Sequence, residues 1–179
     1  MPAIALIRIT ALAAAFAAAG WAGAALAASP PKAIGAFGDW SAWEIVDGKN
    51  RICYIATKPK SSEDKGLKRS TVQIQISSRT ADKVKNEVGV YVGYPIKPDS
   101  KVTATVDTDA FELTPSTQKG YRETAWIHDT ARERQFVEAM MKGKTLKVSA
   151  TPEKGNATTD TYSLSGVTAA LKAIGDRCK

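Results

Sequence analysis

Residues 35–54 read Gly35-Ala-Phe-Gly-Asp-Trp-Ser-Ala-Trp-Glu-Ile-Val-Asp-Gly-Lys-Asn-Arg-Ile-Cys53-Tyr54. Side-chain character alternates from Phe37 to Val46. Trp40, Ala42, Glu44 and Val46 share one side, and Ser41, Trp43 and Ile45 share the other, as a strand with one buried face requires. Asp47-Gly48 is a turn signal, and Arg51 to Thr57 is the returning strand, so the stretch predicts a hairpin with a loop of about four residues. Trp40 and Trp43 then point to opposite faces, one into a core and one outward. The same stretch carries Cys53, the first of two cysteines; the second, Cys178, is the penultimate residue of the 179.

Working outward, the N-terminus separates from the rest. Arg8 precedes an apolar, alanine-rich run from Ile9 to Leu26, and Ala25-Leu26-Ala27 has the small-x-small pattern of a leader cleavage site. Residues 1–28 are therefore expected to be a signal peptide and 29–179 one mature domain, long enough to bury a sizeable core. The leader run is at the short edge of what spans a bilayer, and no second run of that length follows, so no transmembrane segment is expected in the mature chain. Two cysteines in an exported chain suggest one disulfide, Cys53–Cys178. Free thiols for redox or metal work are the alternative, but there is no Cys-x-x-Cys, and the single histidine, His128, is far from both cysteines in sequence.

The formal charge is +7, and removing Arg8 with the leader makes it +6. A basic exported domain favours anionic partners. The lysines are scattered (Lys58, Lys60, Lys65 and Lys68, then Lys83 and Lys85, then Lys142, Lys144 and Lys147) rather than packed in one run, so nucleic acid is not expected.

Further strands are expected over Thr71–Ser77, where Val72, Ile74 and Ile76 alternate with polar residues, and over Glu87–Tyr94, Lys101–Asp107, Ala110–Thr114, Tyr121–Ile127, Lys144–Thr151 and Thr158–Leu164. Lys58–Ser70 is polar, contains Pro59 and Gly66, and reads as a mobile loop. A first helix is expected to start at Asp129, with Thr130-Ala-Arg-Glu133 at capping-box spacing and Phe136, Val137, Met140 and Met141 as its apolar stripe. A second is expected after Ser165 as cap, with Val167, Ala170, Leu171 and Ile174 on one face and Gly175 as its stop. About nine short strands followed by two late helices predict an all-β, immunoglobulin-like antiparallel β-sandwich with two short helices late in the chain.

Catalytic parts are scarce. A Ser-His-Asp or Cys-His arrangement would have to use His128, which stands beside a helix cap. There is no Gly-x-Ser-x-Gly and no His-Glu-x-x-His, and the Gly143-Lys-Thr tripeptide lacks phosphate-loop spacing. One histidine and two paired cysteines leave no metal site, and no cofactor motif occurs. The aromatic residues remain: on an exposed sheet face they stack on sugars or pack on a protein partner. Trp43 and Tyr91, with Lys83 and Lys85, are the candidate surface contacts.

The Gly38-Asp-Trp-x-x-Trp43 start, the Cys53 strand and the C-terminal run Gly166-Val-Thr-Ala-Ala-Leu-Lys-Ala-Ile-Gly-Asp-Arg-Cys178 together resemble the invasion-associated locus B family. The resemblance implies an exported envelope protein of Gram-negative type, an immunoglobulin-like sandwich and no catalytic residues. Members often carry a further cysteine after the Trp-x-x-Trp region; its absence here leaves Cys53–Cys178 as the one intramolecular bridge. The expected function is a non-enzymatic interaction module, periplasmic or secreted or held at the outer membrane, that binds an anionic envelope or host-cell surface component. Two alternatives stand beside it. One is an envelope glycan hydrolase, which needs two carboxylates about 5–9.5 Å apart in one cleft. The other is a stress-related protein stabiliser, which needs a large exposed apolar patch.

Overall fold

The computed structural model describes residues 29–179, and the leader expected over 1–28 lies outside the described residues. The elements are β1 (Lys32–Phe37), β2 (Trp40–Asp47), β3 (Asn50–Thr57), β4 (Ser61–Glu63), β5 (Gln73–Arg79), β6 (Val84–Tyr91), β7 (Val102–Val106), β8 (Asp109–Pro115), β9 (Thr124–Trp126), α1 (Thr130–Lys142), β10 (Thr145–Ala150), β11 (Thr158–Ser163) and α2 (Val167–Arg177). All strand pairs are antiparallel and run in the order β1-β2-β3-β5-β6-β9-β8-β7-β10-β11-β4. Pairing at the β8–β9 junction is limited to Thr114 with Trp126 and Pro115 with Ala125, and there the sheet folds over into two layers. At the other margin the layers meet again: the Trp40 indole N–H donates to Ser163 O at 3.1 Å, and Asp39 N donates to Ser165 O at 3.0 Å. The chain forms the antiparallel β-sandwich with two late helices that the strand count predicts.

Period-two alternation does what it should. Ala42, Ile55, Ile76 and Val90 from one layer and Ala104, Leu146 and Val148 from the other fall in one continuous core. Burying an isoleucine or valine side chain contributes about 1.5–3 kcal/mol, so these positions are the main source of stability. Trp40 is 1% exposed, and Trp43 sits half-buried on the opposite face, as the alternation requires.

Several local expectations are corrected. The first hairpin is β1–β2, not β2–β3: the run Lys32-Ala-Ile-Gly-Ala-Phe37 forms a strand although the register slips between Ala33 and Gly35, which erases the alternation that sequence reading relies on. The β2–β3 loop is shorter than expected, because Asp47 pairs directly with Asn50. The segment 58–70 is not a free loop. It contains the edge strand β4, a polar three-residue element with no alternation to read, and Arg69, whose side chain is 5% exposed. Arg69 donates from Nη1 to Asp160 Oδ1 at 2.8 Å and from Nε to Val92 O at 2.9 Å. Ser62 Oγ donates to the same Asp160 oxygen at 2.6 Å, and the guanidinium lies 5.3 Å from the Tyr94 ring centre. A buried ion pair with this many additional bonds holds the strap against the core.

Asp129 caps α1 through Arg132 N, but Glu133 is not part of a capping box; its carboxylate reaches a strand instead. Met141 is exposed while Phe136, Val137 and Met140 are buried. Helix α2 is capped by Gly166 rather than by Ser165. At Gly166 φ is +94° and a Cβ would come within 1.9 Å of Phe37 O, so the close crossing of β1 and α2 demands glycine. Gly175 lies inside α2 rather than ending it. The last turn is held from outside: Arg51 Nη1 donates to Arg177 O at 3.1 Å and pairs with the buried Glu44 carboxylate at 3.0 Å. Immediately beyond, Cys178 is disulfide-bonded to Cys53, with Cα atoms 6.0 Å apart across 125 residues of sequence.

Candidate binding face

The face of β2, β3, β5, β6 and β9 that turns away from the core is set by register. Trp43 pairs with Tyr54, and Tyr54 with Ser77; Ala56 pairs with Gln75, Gln75 with Gly89, and Gly89 with Trp126; Gln73 pairs with Tyr91. Directly opposed residues in a sheet share a face, so Trp43, Tyr54, Gln73, Gln75, Tyr91 and Trp126 form one surface across five strands, all half-buried. A Cβ at Gly89 would lie 2.9 Å from the six-membered end of the Trp126 indole, so that ring covers the glycine and rests against the sheet. Tyr91 meets Trp126 edge-on at 6.4 Å. Among the described residues, the Trp43 indole N–H is satisfied by Ser41 Oγ at 3.0 Å, which fixes that ring as well.

A groove of about 810 Å³ opens beside this face, and its cause is the shortness of β9. β6 has eight residues and β8 seven, but β9 has only three. Past Trp126 the chain leaves the sheet for α1, and the sheet splits between β6 and β8. Val92 N donates to Glu123 O; two-residue periodicity puts the Val88 amide on the same side, beyond the end of β9, with no strand to bond. Glu133 of α1 supplies the acceptor, Oε1 at 2.8 Å. Burial pushes the Glu133 carboxyl above its ordinary value; the Val88 bond and His128 oppose the shift, and neighbouring Glu87 adds to it.

Arg79 lines the same groove and is committed. It donates from Nη1 to Glu87 Oε2 at 2.6 Å, from Nη2 to Glu87 Oε1 at 3.2 Å and from Nε to Asp82 at 3.0 Å. The Glu87 bonds, first among these, hold its guanidinium firmly charged against the opposing effect of burial. Lys83 and Lys85 are exposed on the groove wall, and among the described residues neither enters an ion pair. They are the uncommitted positive charge of the site.

The four expected contacts therefore fall on one side of the molecule. Trp43 and Tyr91 lie on the outer sheet face, with Trp43 bordering a shallow hollow of about 600 Å³ together with Tyr54 and Lys58. Lys83 and Lys85 lie in the groove, to which Tyr91 connects through Trp126. Sequence reading missed Gln73 and Gln75 as members of the face, although each alternates with a core residue. It also missed Trp126, whose partner strand cannot be named without register, and Glu133, which carried a capping signal. Among the described residues, no group of three or more His, Cys, Asp or Glu side chains is placed to hold a metal ion.

With that geometry in view, three comparisons bear on the chain. The family model described as "Invasion associated locus B (IalB) protein" matches residues 40–175. A solved structure, the crystal structure of invasion associated protein B from Bartonella henselae, superposes with a TM-score of 0.56 at 21% identity, over 83% of this chain and 97% of that one; at that identity the likeness is one of fold. No curated protein matches the chain.

Proposed function

Because the chain belongs to the invasion associated locus B family, we propose that it is an exported envelope protein that binds an anionic component of the envelope or of a host-cell surface, and catalyses no reaction. Residues 1–28 serve as its export leader, and 29–179 form the single mature domain, periplasmic, secreted or held at the outer membrane. The observation that carries the reading is the pairing of two unneutralised lysines, Lys83 and Lys85, with a fixed aromatic face. The Cys53–Cys178 bridge supports an oxidising compartment. No helix of the described residues is long and apolar enough to cross a membrane. The test is retention of the purified protein on envelope fractions, anionic glycans and host-cell membranes at low and at high salt, beside the Lys83→Glu/Lys85→Glu variant. Salt-sensitive retention that the charge reversal abolishes is expected; no retention on any of them at low salt sinks the proposal.

One observation favours a second reading. Glu87 and Glu133 line the same groove, the first salt-bridged to Arg79 and the second, half-buried, shifted toward its protonated form. Unequal carboxylates are the equipment of glycoside hydrolysis. Reducing-end release from envelope glycans, abolished by Glu133→Gln, would establish it; no release retires it. The stabiliser alternative finds little support: the large exposed hydrophobics among the described residues are Val46 on β2, Tyr121 in the β8–β9 loop and Met141 on α1.

A further inference from the structure

Trp43, Tyr54, Tyr91, Trp126, Gln73 and Gln75 give the outer face four aromatics and two amides; at its centre Gln75 is flanked across the strands by the small residues Ala56 and Gly89, and the half-buried Ile45 and Ile52 of the same face lie two positions from Trp43 and Tyr54. Among the described residues neither Gln73 nor Gln75 spends its side-chain amide on another protein group, although both are half-buried. Each therefore presents a donor and an acceptor outward. Uncommitted lysines stand at both ends: Lys58 beside the Trp43–Tyr54 hollow, and Lys83 and Lys85 at the start of β6, on the groove that Trp126 also lines. From β2 to β9 the face spans four strand spacings, about 19 Å at roughly 4.8 Å each.

We propose that this face is a binding platform for an acidic oligosaccharide laid across the strands, its rings stacked on Trp43, Tyr54, Tyr91 and Trp126, its hydroxyls met by Gln73 and Gln75, and its acid groups by the lysines at either end. The proposal rests on the anionic-ligand reading above and names its chemical class. Sugar rings offer flat C–H faces to aromatics and pairs of hydroxyls to planar amides. The centre of a protein-docking surface excludes water with packed apolar groups and has no use for two free amides. A membrane surface calls for protruding apolar residues or a dense basic cluster, whereas these rings lie flush with the sheet: Trp126 rests on Gly89, and Trp43 is tied down by Ser41. Rings fixed in advance lose little freedom on binding.

The test uses the full chain, exported and recovered with its leader processed, isotope-labelled and titrated at low salt with an oligouronate, a neutral β-linked glucose oligomer and phosphatidylglycerol vesicles. With the oligouronate, amide shifts are expected on β2, β3, β5, β6 and β9, and the neutral oligomer should bind more weakly at the same positions. Gln73→Ala/Gln75→Ala should weaken oligouronate binding about tenfold, the scale of a tenfold step per ~1.4 kcal/mol, and Lys83→Ala/Lys85→Ala should flatten its salt dependence. Trp43→Ala should act like the glutamine pair; if it fails to fold, the glutamine pair, whose side chains alternate with the core residues Ile74 and Ile76, decides. Vesicle binding without oligouronate binding overturns the glycan platform and leaves the anionic-ligand reading standing. Binding to neither brings down both. Oligouronate binding indifferent to the glutamine pair, or with shifts elsewhere on the molecule, overturns the platform.

Discussion

The two faces of β2, β3, β5 and β6 are written by alternate residues of the same strands, yet they do different work. The inner face carries Ala42, Ile55, Ile76 and Val90, all fully buried, and the disulfide and the buried ion pairs are on that side. Cys53 is an inner-face residue joined to the end of α2, and Glu44 is an inner-face carboxylate paired with Arg51. Arg69 and Asp160 close the interior from the opposite layer. The outer face carries Trp43, Tyr54, Gln75 and Tyr91 and none of those fasteners. If the outer face is the proposed platform, stability and recognition are separated by one residue of sequence, and damage to one should leave the other intact.

The largest test of that separation removes the disulfide. Closing a loop of 125 residues restricts the unfolded chain by about 5 kcal/mol. Cys53→Ser/Cys178→Ser should lose stability of that order in urea unfolding while still binding its ligand under conditions where it stays folded. Loss of binding without loss of stability would mean that the bridge shapes the outer face.

Next in size is the buried ion pair. Arg69→Ala strands the Asp160 carboxylate, 1% exposed, and breaking such a pair costs about 3–5 kcal/mol. Replacing both partners, Arg69→Met with Asp160→Leu, should recover much of the loss in the same urea experiment, because no lone charge is left inside.

How far these features were legible in the sequence follows from their range. Alternation is local, so the inner residues of β2, β3 and β5 and the opposed tryptophans could be read directly, and two cysteines in an exported chain have one partner each. Arg69 could not be read, since nothing nearby marks one side chain of an exposed, lysine- and serine-rich strap as buried; its partners are Asp160, on the last strand, and Val92 O. The composition of the outer face was half legible. Each member stands in a period-two pattern, but that Gln75 stands between Ala56 and Gly89 is a fact of register, and register is set by the whole sheet. The groove was not legible at all, because it arises from a strand that stops early: the expected Tyr121–Ile127 shrinks to Thr124–Trp126.

Glu133 stands between the two faces, and its effect is intermediate. Glu133→Ala leaves the fully buried Val88 with an unbonded amide and should cost about 1–3 kcal/mol. Glu133→Gln keeps an acceptor there and should cost less. The pH dependence separates the two contributions. The folded-state carboxyl titrates above its ordinary 4.5, so the folded protein holds a proton that the unfolded chain has released. Stability from this group is fully present below the ordinary value and is lost as pH rises through the raised one. Urea midpoints between pH 4 and 7 should therefore move in favour of Glu133→Gln relative to the unaltered protein as pH rises, and a constant difference would show that the carboxyl is not shifted.

The smallest expected stability effect belongs to the outer face, and it is the sharpest use of the comparison. Gln73 and Gln75 flank Ile74, which is fully buried, and are followed by Ile76, which is too. Alanine at Ile74 or Ile76 should cost about 2–5 kcal/mol by opening a cavity. Alanine at both glutamines changes side chains that point away from the core and, among the described residues, breaks no hydrogen bond, so the unfolding midpoint should stay within about 0.5 kcal/mol of the unaltered value. Neighbouring positions, differing only in which way their side chains point, would then differ by several-fold in stability and in the opposite order in ligand binding. A destabilisation at the glutamines comparable to that at the isoleucines would mean that the outer face is structural, covered or braced by part of the chain, and a surface of that kind has no room for a ligand.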